Sequence, residues 1–357
     1  MVHQYINNGY HIVLDVNSGA IHVVDEVVYD VIPLFEKHSS EEITGLLREK
    51  YSEEEIREAV EEVAQLKKEG SLFTPDTYEA PLIDFKKRPT VVKALCLHIA
   101  HDCNLACRYC FAEEGEYHGR RALMSYETGK AALDFLIANS GSRRNLEVDF
   151  FGGEPLMNFE VVKQLVAYGR EQEKLHDKHF RFTLTTNGVL LNDDIMEFAN
   201  REMDNVVLSI DGRKEVHDHM RPFRKGAGSY DLIVPKFQKF AKSRNQEKYY
   251  VRGTYTHFNT DFSKDVLHLA DLGFKQISVE PVVAEETDDY AIKEEDLPVL
   301  FKEYDDLAAE MVRRNKAGNG FNFFHFMIDL EGGPCVYKRL SGCGSGTEYL
   351  AVTPWGD

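Results

Sequence analysis

Positive charge is scarce in this chain: 42 lysines and arginines stand against 60 aspartates and glutamates, for a net charge of −18. Nucleic acids are held largely by Lys and Arg on the phosphate backbone, so this balance excludes such binding as a main task and predicts no nucleic-acid partner. It leaves room for a basic peptide. No apolar run of about 18 residues is present, so the sequence predicts no transmembrane helix and no membrane partner. The opening MVHQYINNGYHIV lacks the basic segment and apolar stretch of a secretory signal. The protein is therefore expected in the cytoplasm. Internal repeats and low-complexity tracts are missing as well.

What remains is an ordinary globular composition, 43% hydrophobic and 11% aromatic over 357 residues, long enough for a large core and two or three domains. The six cysteines fall at 96, 103, 107, 110, 335 and 343. In a large chain read as intracellular, clustered cysteines point to metal ligands or redox groups more than to disulfides.

Residues 1–75 read as one unit. Tyr10 to Asp15 and Ala20 to Asp25 are β-type runs around the turn Asn17-Ser18-Gly19. Helices follow, with capping-box patterns at Ser39/Glu42 and Ser52/Glu55 and a stop at Gly70. A hairpin with three helices suggests a winged-helix-like module. It carries 15 acidic and 6 basic residues, half of the chain's net charge. A turn-rich linker over 76–90 comes next. From Val91 strands alternate with helices: Ala94 to Ile99, Leu146 to Phe151, Phe180 to Thr185, Val206 to Ile210, Tyr250 to Thr256 and Gln276 to Glu280. Six βα units predict an α/β fold with a parallel sheet, either a partial barrel or an open doubly wound sheet. In both, the chemistry collects where strands end and loops begin.

Cys103-Asn104-Leu105-Ala106-Cys107-Arg108-Tyr109-Cys110 follows the first strand directly. Thiolates are the usual ligands of iron–sulfur clusters, and three of them leave one iron of a cubane open to a chelating small molecule. A zinc site with His98, His101 or Asp102 as fourth ligand is the alternative. Phe151-Gly152-Gly153-Glu154-Pro155 follows the second strand: two glycines permit a close backbone approach, and a carboxylate can receive an ammonium group. Thr185-Thr186-Asn187-Gly188 and Ser209-Ile210-Asp211-Gly212 close the third and fourth strands, where small polar groups either bind a ligand or make turns. Arg221 stands in His217-Asp218-His219-Met220-Arg221-Pro222. Cys96, inside the first strand, reads as a core cysteine.

On these motifs the segment from Ala94 to Val283 resembles the radical S-adenosylmethionine (SAM) superfamily. The resemblance implies a partial (β/α)6 barrel with a 4Fe–4S cluster on Cys103, Cys107 and Cys110, whose open iron is chelated by SAM. Reductive cleavage of SAM would give methionine and a 5′-deoxyadenosyl radical. By the same resemblance Tyr109 lies near the adenine, and Glu154 with the Gly152 and Gly153 backbone holds the methionyl amine. Asn187, Ser209 and Arg221 make further SAM contacts, and the segment Ser278 to Val282 lies near the adenine. A flavodoxin or ferredoxin would supply the electron.

Cys335 and Cys343, set among glycines and followed by a short strand from Tyr349 to Val352, resemble the opening of a SPASM extension, which binds auxiliary 4Fe–4S clusters. The domain scheme implied is a leader-recognition module (1–75), a linker (76–90), a radical SAM core (91–315) and the start of a SPASM domain (316–357), within which the chain is expected to be truncated. If Asp357 is the true terminus, the pair reads instead as redox-active or free thiols. The first module resembles the recognition element of ribosomal-peptide maturases, in which a leader peptide adds as a strand. The whole most resembles the maturases of SCIFF peptides, cysteine-rich precursors that receive thioether crosslinks. A peptide epimerase, a formylglycine-type maturase and a non-enzymatic metal-binding protein are the other readings.

Overall fold

Asn8 and Gly9 both take positive φ, 49° and 79°, and close a two-residue turn between β1 (Val2–Asn7) and β2 (Tyr10–Asp15). Asn-Gly is the pair that adopts this conformation at least cost. The structure is a computed structural model and describes residues 1–76, 90–117, 119–328 and 344–357. β3 (Ile21–Val24) pairs antiparallel with β2, so the first sheet runs β1-β2-β3. The expected two-strand hairpin is thus present with one further strand before it.

Three helices complete this first unit: α1 (Glu26–Phe35), α2 (Ser40–Leu47) and α3 (Glu53–Lys68). Both capping boxes form: the Ser39 and Ser52 hydroxyls each accept from the N–H of the glutamate three residues on, and each serine N–H donates to that glutamate's carboxylate. Val13, Val28, Val31, Ile32, Ile43, Ile56 and Val63 are buried together.

The second unit holds residues 90–327 and 344–357 among those described. In chain order it contains β4 (Ala94–His101), β5 (Ala122–Leu123), α4 (Tyr126–Asn139), β6 (Asn145–Gly152), α5 (Phe159–His176), β7 (His179–Thr186), α6 (Asp193–Glu202) and β8 (Asn205–Ser209). Then come α7 (Lys214–Met220), α8 (Tyr230–Ser243), β9 (Tyr249–Tyr255), α9 (Ser263–Asp271), β10 (Gln276–Pro281), α10 (Leu297–Lys316), β11 (Asn322–Phe323) and β12 (Tyr349–Val352). The sheet order is β11-β10-β9-β8-β7-β6-β4-β12, all parallel, with β5 antiparallel against the end of β4. All six anticipated strands are present as consecutive neighbours. The strand anticipated at Tyr349 to Val352 is present and pairs parallel with β4, at the end of the strand order among the described residues.

Polarity alternates along these parallel strands. Leu95, Leu97, Val148, Phe150, Phe182, Leu184, Leu208, Val251 and Val279 belong to the large core shared with the helices. Each such side chain contributes about 1.5–3 kcal/mol by leaving water. Phe150 and Phe182 stack on neighbouring strands with ring centroids 5.6 Å apart. The positions between them, Cys96, His98, Asp149, Thr183, Arg252, Ser278 and Glu280, point to the other face. Cys96 is therefore not a core residue: it is half-buried on the polar face, where burial beside Tyr349 and Asp149 pushes its thiol up to about 11. No helix among the described residues is long and apolar enough to cross a membrane.

Candidate active site

Parallel register brings the C-terminal ends of β4 and β6 through β10 to one end of the sheet, and a cavity of about 540 Å³ opens there. That size suits a small organic ligand. Cys103, Cys107, Tyr109, Cys110, Gly152, Gly153, Asn187, Ser209 and Arg221 all line it. These residues come from five separate segments, and the sequence had picked every one of them.

The cysteine loop is held from behind by a distant stretch of chain. The N–H of Ala106 donates to Pro222 O at 2.9 Å, the N–H of Arg108 to Met220 O at 2.9 Å, and Leu105 bridges Phe223. Asn187 Nδ2 donates to Asn104 Oδ1 at 2.7 Å and lies 3.6 Å from Cys103 Sγ. Burial, then the nearby Glu154, pushes the Cys103 thiol up to about 12; burial, partly offset by Arg221, takes Cys107 to about 11. Such thiols stay protonated at neutral pH until a metal displaces the protons.

The two glycines after β6 are required by space. A Cβ on Gly153 would stand 2.2 Å from Asp102 O, and one on Gly152, whose φ is +119°, would stand 2.5 Å from Ala100 O. Gly153 N–H donates to Ala100 O at 2.7 Å and Glu154 N–H to Asp102 O at 2.9 Å. The end of β6 is thus pressed against the segment that enters the cysteine loop.

Glu154, expected to help hold an ammonium group, is engaged by the protein's own donors. Its carboxylate is fully buried and absent from the cavity wall. One oxygen accepts from Thr186 Oγ1 (2.7 Å) and Leu156 N–H (3.0 Å), the other from Asn187 N–H (2.8 Å). Burial raises its pKa against those hydrogen bonds. In this arrangement Glu154 ties the end of β6 to the end of β7, and what faces the cavity is the Gly152-Gly153 backbone.

Arg221 is one of two arginines on the cavity, Arg252 being the other. Arg221 Nη1 donates to Tyr109 Oη at 2.8 Å, and that hydroxyl donates to the Asp211 carboxylate, whose oxygens lie at 2.7 and 2.8 Å. Asp211, fully buried, also accepts from Thr254 N–H at 3.1 Å. Burial pushes its pKa up and the Arg221 charge opposes that. Arg221 Nε is buried without a hydrogen-bond partner among the described residues, as is Asn104 Nδ2.

Arg252, Thr254, Glu280 and Phe111 also line the cavity, and only Glu280 had been noticed, within the segment Ser278 to Val282. Arg252 Nε donates to Glu280 Oε1 at 3.2 Å. The available signal was the alternation of β9, where Arg252 and Thr254 fall on the face opposite the buried Val251. His98 and His101, the alternative metal ligands, are engaged with one another through Nδ1 and Nε2 at 3.0 Å. No group of three His, Cys, Asp or Glu among the described residues converges as for a single ion. A cubane asks for a different arrangement, since each thiolate meets its own iron. Three thiols around one cavity, two glycines with no room for a side chain and a buried unpaired guanidinium nitrogen fit a cluster that leaves one iron to a carboxylate-bearing chelator. Cys335 and Cys343 lie outside the described residues.

Residues 97–273 match the family described as the Radical SAM superfamily. Over 189 residues the chain is 31% identical to an uncharacterised protein of Methanocaldococcus jannaschii, covering 52% of this chain and 62% of that protein. It spans less than two thirds of the length of that and the next curated relatives. The fold is shared with anSMEcpe, solved with bound AdoMet, at 19% identity and a TM-score of 0.58, covering 66% of this chain and 64% of that one. It is shared also with Streptococcus suis SuiB, solved bound to precursor peptide SuiA, at 15% identity and a TM-score of 0.54, over 99% of this chain and 80% of SuiB.

Proposed function

We propose that this protein is a radical SAM peptide maturase, in which Cys103, Cys107 and Cys110 hold a 4Fe–4S cluster and the cavity takes SAM. The observation that carries the reading is the convergence of the three thiols, the Gly152-Gly153 backbone, Asn187, Ser209 and Arg221 on one cavity wall. When bound and reduced, the cluster supplies the electron that cleaves SAM to methionine and a 5′-deoxyadenosyl radical. The chain's own residues bind, orient and exclude water. The Gly152-Gly153 backbone, with Glu154, would hold the methionyl amine, and Arg221 would offer its guanidinium to the SAM carboxylate or ribose. On the same reading Tyr109 would lie near the adenine, and Asn187 and Ser209 would make further SAM contacts.

The substrate reading is a ribosomally made, cysteine-rich precursor peptide that acquires Cys-sulfur-to-α-carbon thioethers. Three features support it: a three-stranded sheet with helices at residues 1–76, whose edge strand β3 exposes Ile21 and Val23 for a leader strand to pair along; the excess of acid in that unit, suited to a basic leader; and the SuiB likeness, a protein solved with its precursor peptide. A flavodoxin or ferredoxin is the proposed electron donor, and Cys335 with Cys343 the proposed start of auxiliary-cluster binding in a SPASM extension.

The test is SAM turnover by the anaerobically reconstituted, reduced protein, followed by tandem mass spectrometry of a precursor peptide. Formation of 5′-deoxyadenosine that depends on all three cysteines, and peptide that has lost two hydrogens per crosslink, is the expected result. Iron-replete protein that leaves SAM intact would overturn the radical SAM reading. Peptide that is only epimerised or oxidised would overturn the thioether and keep the rest.

A further inference from the structure

Arg221 is the C-terminal cap of α7, with φ −127° and ψ 55°, just before Pro222. Nothing in the helix itself fixes a carbonyl at such a position. Here three buried residues do so. Ser229 Oγ donates to Arg221 O at 2.8 Å, His217 Nε2 lies 2.9 Å from Ser229 Oγ, and Asp211 N–H donates to His217 Nδ1 at 3.3 Å. Asp211, His217 and Ser229 are all 0% exposed.

The direction of this chain follows from elementary donor logic. A backbone amide only donates, so His217 Nδ1 accepts and Nε2 carries the ring hydrogen. Nε2 therefore donates to Ser229 Oγ, and the hydroxyl hydrogen is left for the Arg221 carbonyl. A protonated imidazole would place a hydrogen against the Asp211 amide, and burial together with the Arg221 charge keeps the ring neutral.

The same Asp211 holds the other end of the arginine, because its carboxylate receives Tyr109 and Tyr109 receives Arg221 Nη1. Asp211, His217, Ser229, Arg221 and Tyr109 thus make a closed ring of contacts. The amide and carboxylate of one residue fix the main chain and the side chain of another. The member left open is Arg221 Nε.

We propose that His217 and Ser229 are positioning residues that act through the Arg221 main chain to hold its guanidinium at the carboxylate of SAM. This rests on the SAM reading above and goes beyond it, since neither residue touches the cavity. A long arginine ordered by the fold before the ligand arrives loses less freedom on binding, so the ring raises affinity without making a contact of its own.

The experiment measures the SAM dissociation constant of reconstituted protein by equilibrium dialysis, with iron content and thermal midpoint followed in parallel. Ser229→Ala is expected to weaken SAM on the order of tenfold with iron retained, as removing an outer support of a bound group usually does. Ser229→Thr, which keeps the hydroxyl, should restore affinity. Because the pair acts through Arg221, Ser229→Ala should add little to the loss already caused by Arg221→Lys. His217→Phe, of similar volume, serves as the second route should Ser229→Ala fold poorly. Wild-type affinity in both variants, or losses that multiply fully with Arg221→Lys, would overturn the inference while leaving the SAM site standing. Wild-type affinity in Arg221→Lys would remove Arg221 from the SAM site, and this inference with it. Wild-type protein that binds no SAM would overturn the functional reading itself.

Discussion

Asn187 N–H donates to the Glu154 carboxylate at 2.8 Å, and this one bond joins the ends of two strands that carry separate motifs of the site. Thr186 and Leu156 donate to the other oxygen of the same carboxylate, so the fold supplies three donors to this buried group. Glu154→Gln replaces one acceptor oxygen with an NH2 that meets a donor. The expected cost is about 1–3 kcal/mol of stability for the buried groups left unpaired. Urea unfolding of the metal-free variant measures it; unchanged stability with weakened SAM binding would show that the carboxylate acts on the ligand instead.

Gly153→Ala should be more damaging to the site than its size suggests. Its methyl would meet Asp102 O at 2.2 Å and Asp102 C at 2.7 Å, both backbone atoms, so the cysteine loop itself has to move. The expected outcome is poor iron retention after anaerobic reconstitution, by at least several-fold, with helix content by circular dichroism unchanged.

His217 makes stability fall in acid. Burial, reinforced by Arg221, depresses its pKa from the ordinary 6.5 to about 3. Between those values the unfolded chain takes up a proton that the folded chain refuses, so the stability due to neutral His217 is complete above pH 6.5 and is lost as pH falls towards 3. Denaturant unfolding at pH 7 and pH 5 is expected to show a smaller loss in His217→Phe than in wild type, by about 1–2 kcal/mol at one pKa unit per 1.36 kcal/mol.

The first unit has its own sensitive point at the β1–β2 turn. Gly9 sits at φ +79°, in the left-handed region that costs an L-residue about 1–2 kcal/mol. Gly9→Val should therefore loosen the sheet, raising amide exchange in β1 and β2 while exchange in β6 and β7 stays as it was.

The sequence announced those parts of the site that use unusual residue types at short spacing. Three cysteines within eight residues, paired glycines after a strand and a serine at a strand end all lie on the cavity. It did not announce Asp211, His217 and Ser229 as a set, because their meaning lies in contacts across 6 to 12 residues that no helical or strand period marks. Arg252 and Thr254 were missed for a different reason. Parallel strands are usually apolar on both faces, so alternation is not a signal ordinarily expected of them. Here it marks the open polar face of the sheet. The same oversight put Cys96 in the core. β1 was missed although Asn8-Gly9 between two runs of β-type residues was a legible hairpin signal.

The stitching of residues 105–108 to residues 220–223 carries a consequence for the order in which the protein is made. All three thiols have been synthesised by residue 110, yet their loop gains its backing only when a stretch more than a hundred residues later has folded onto it. During synthesis the cysteines are exposed, unsupported thiols for as long as it takes to add β6, β7 and β8. On the proposed function, cluster delivery would follow closure of the sheet around the loop, and a nascent chain stopped short of Met220 is expected to be a poor recipient of iron and sulfide.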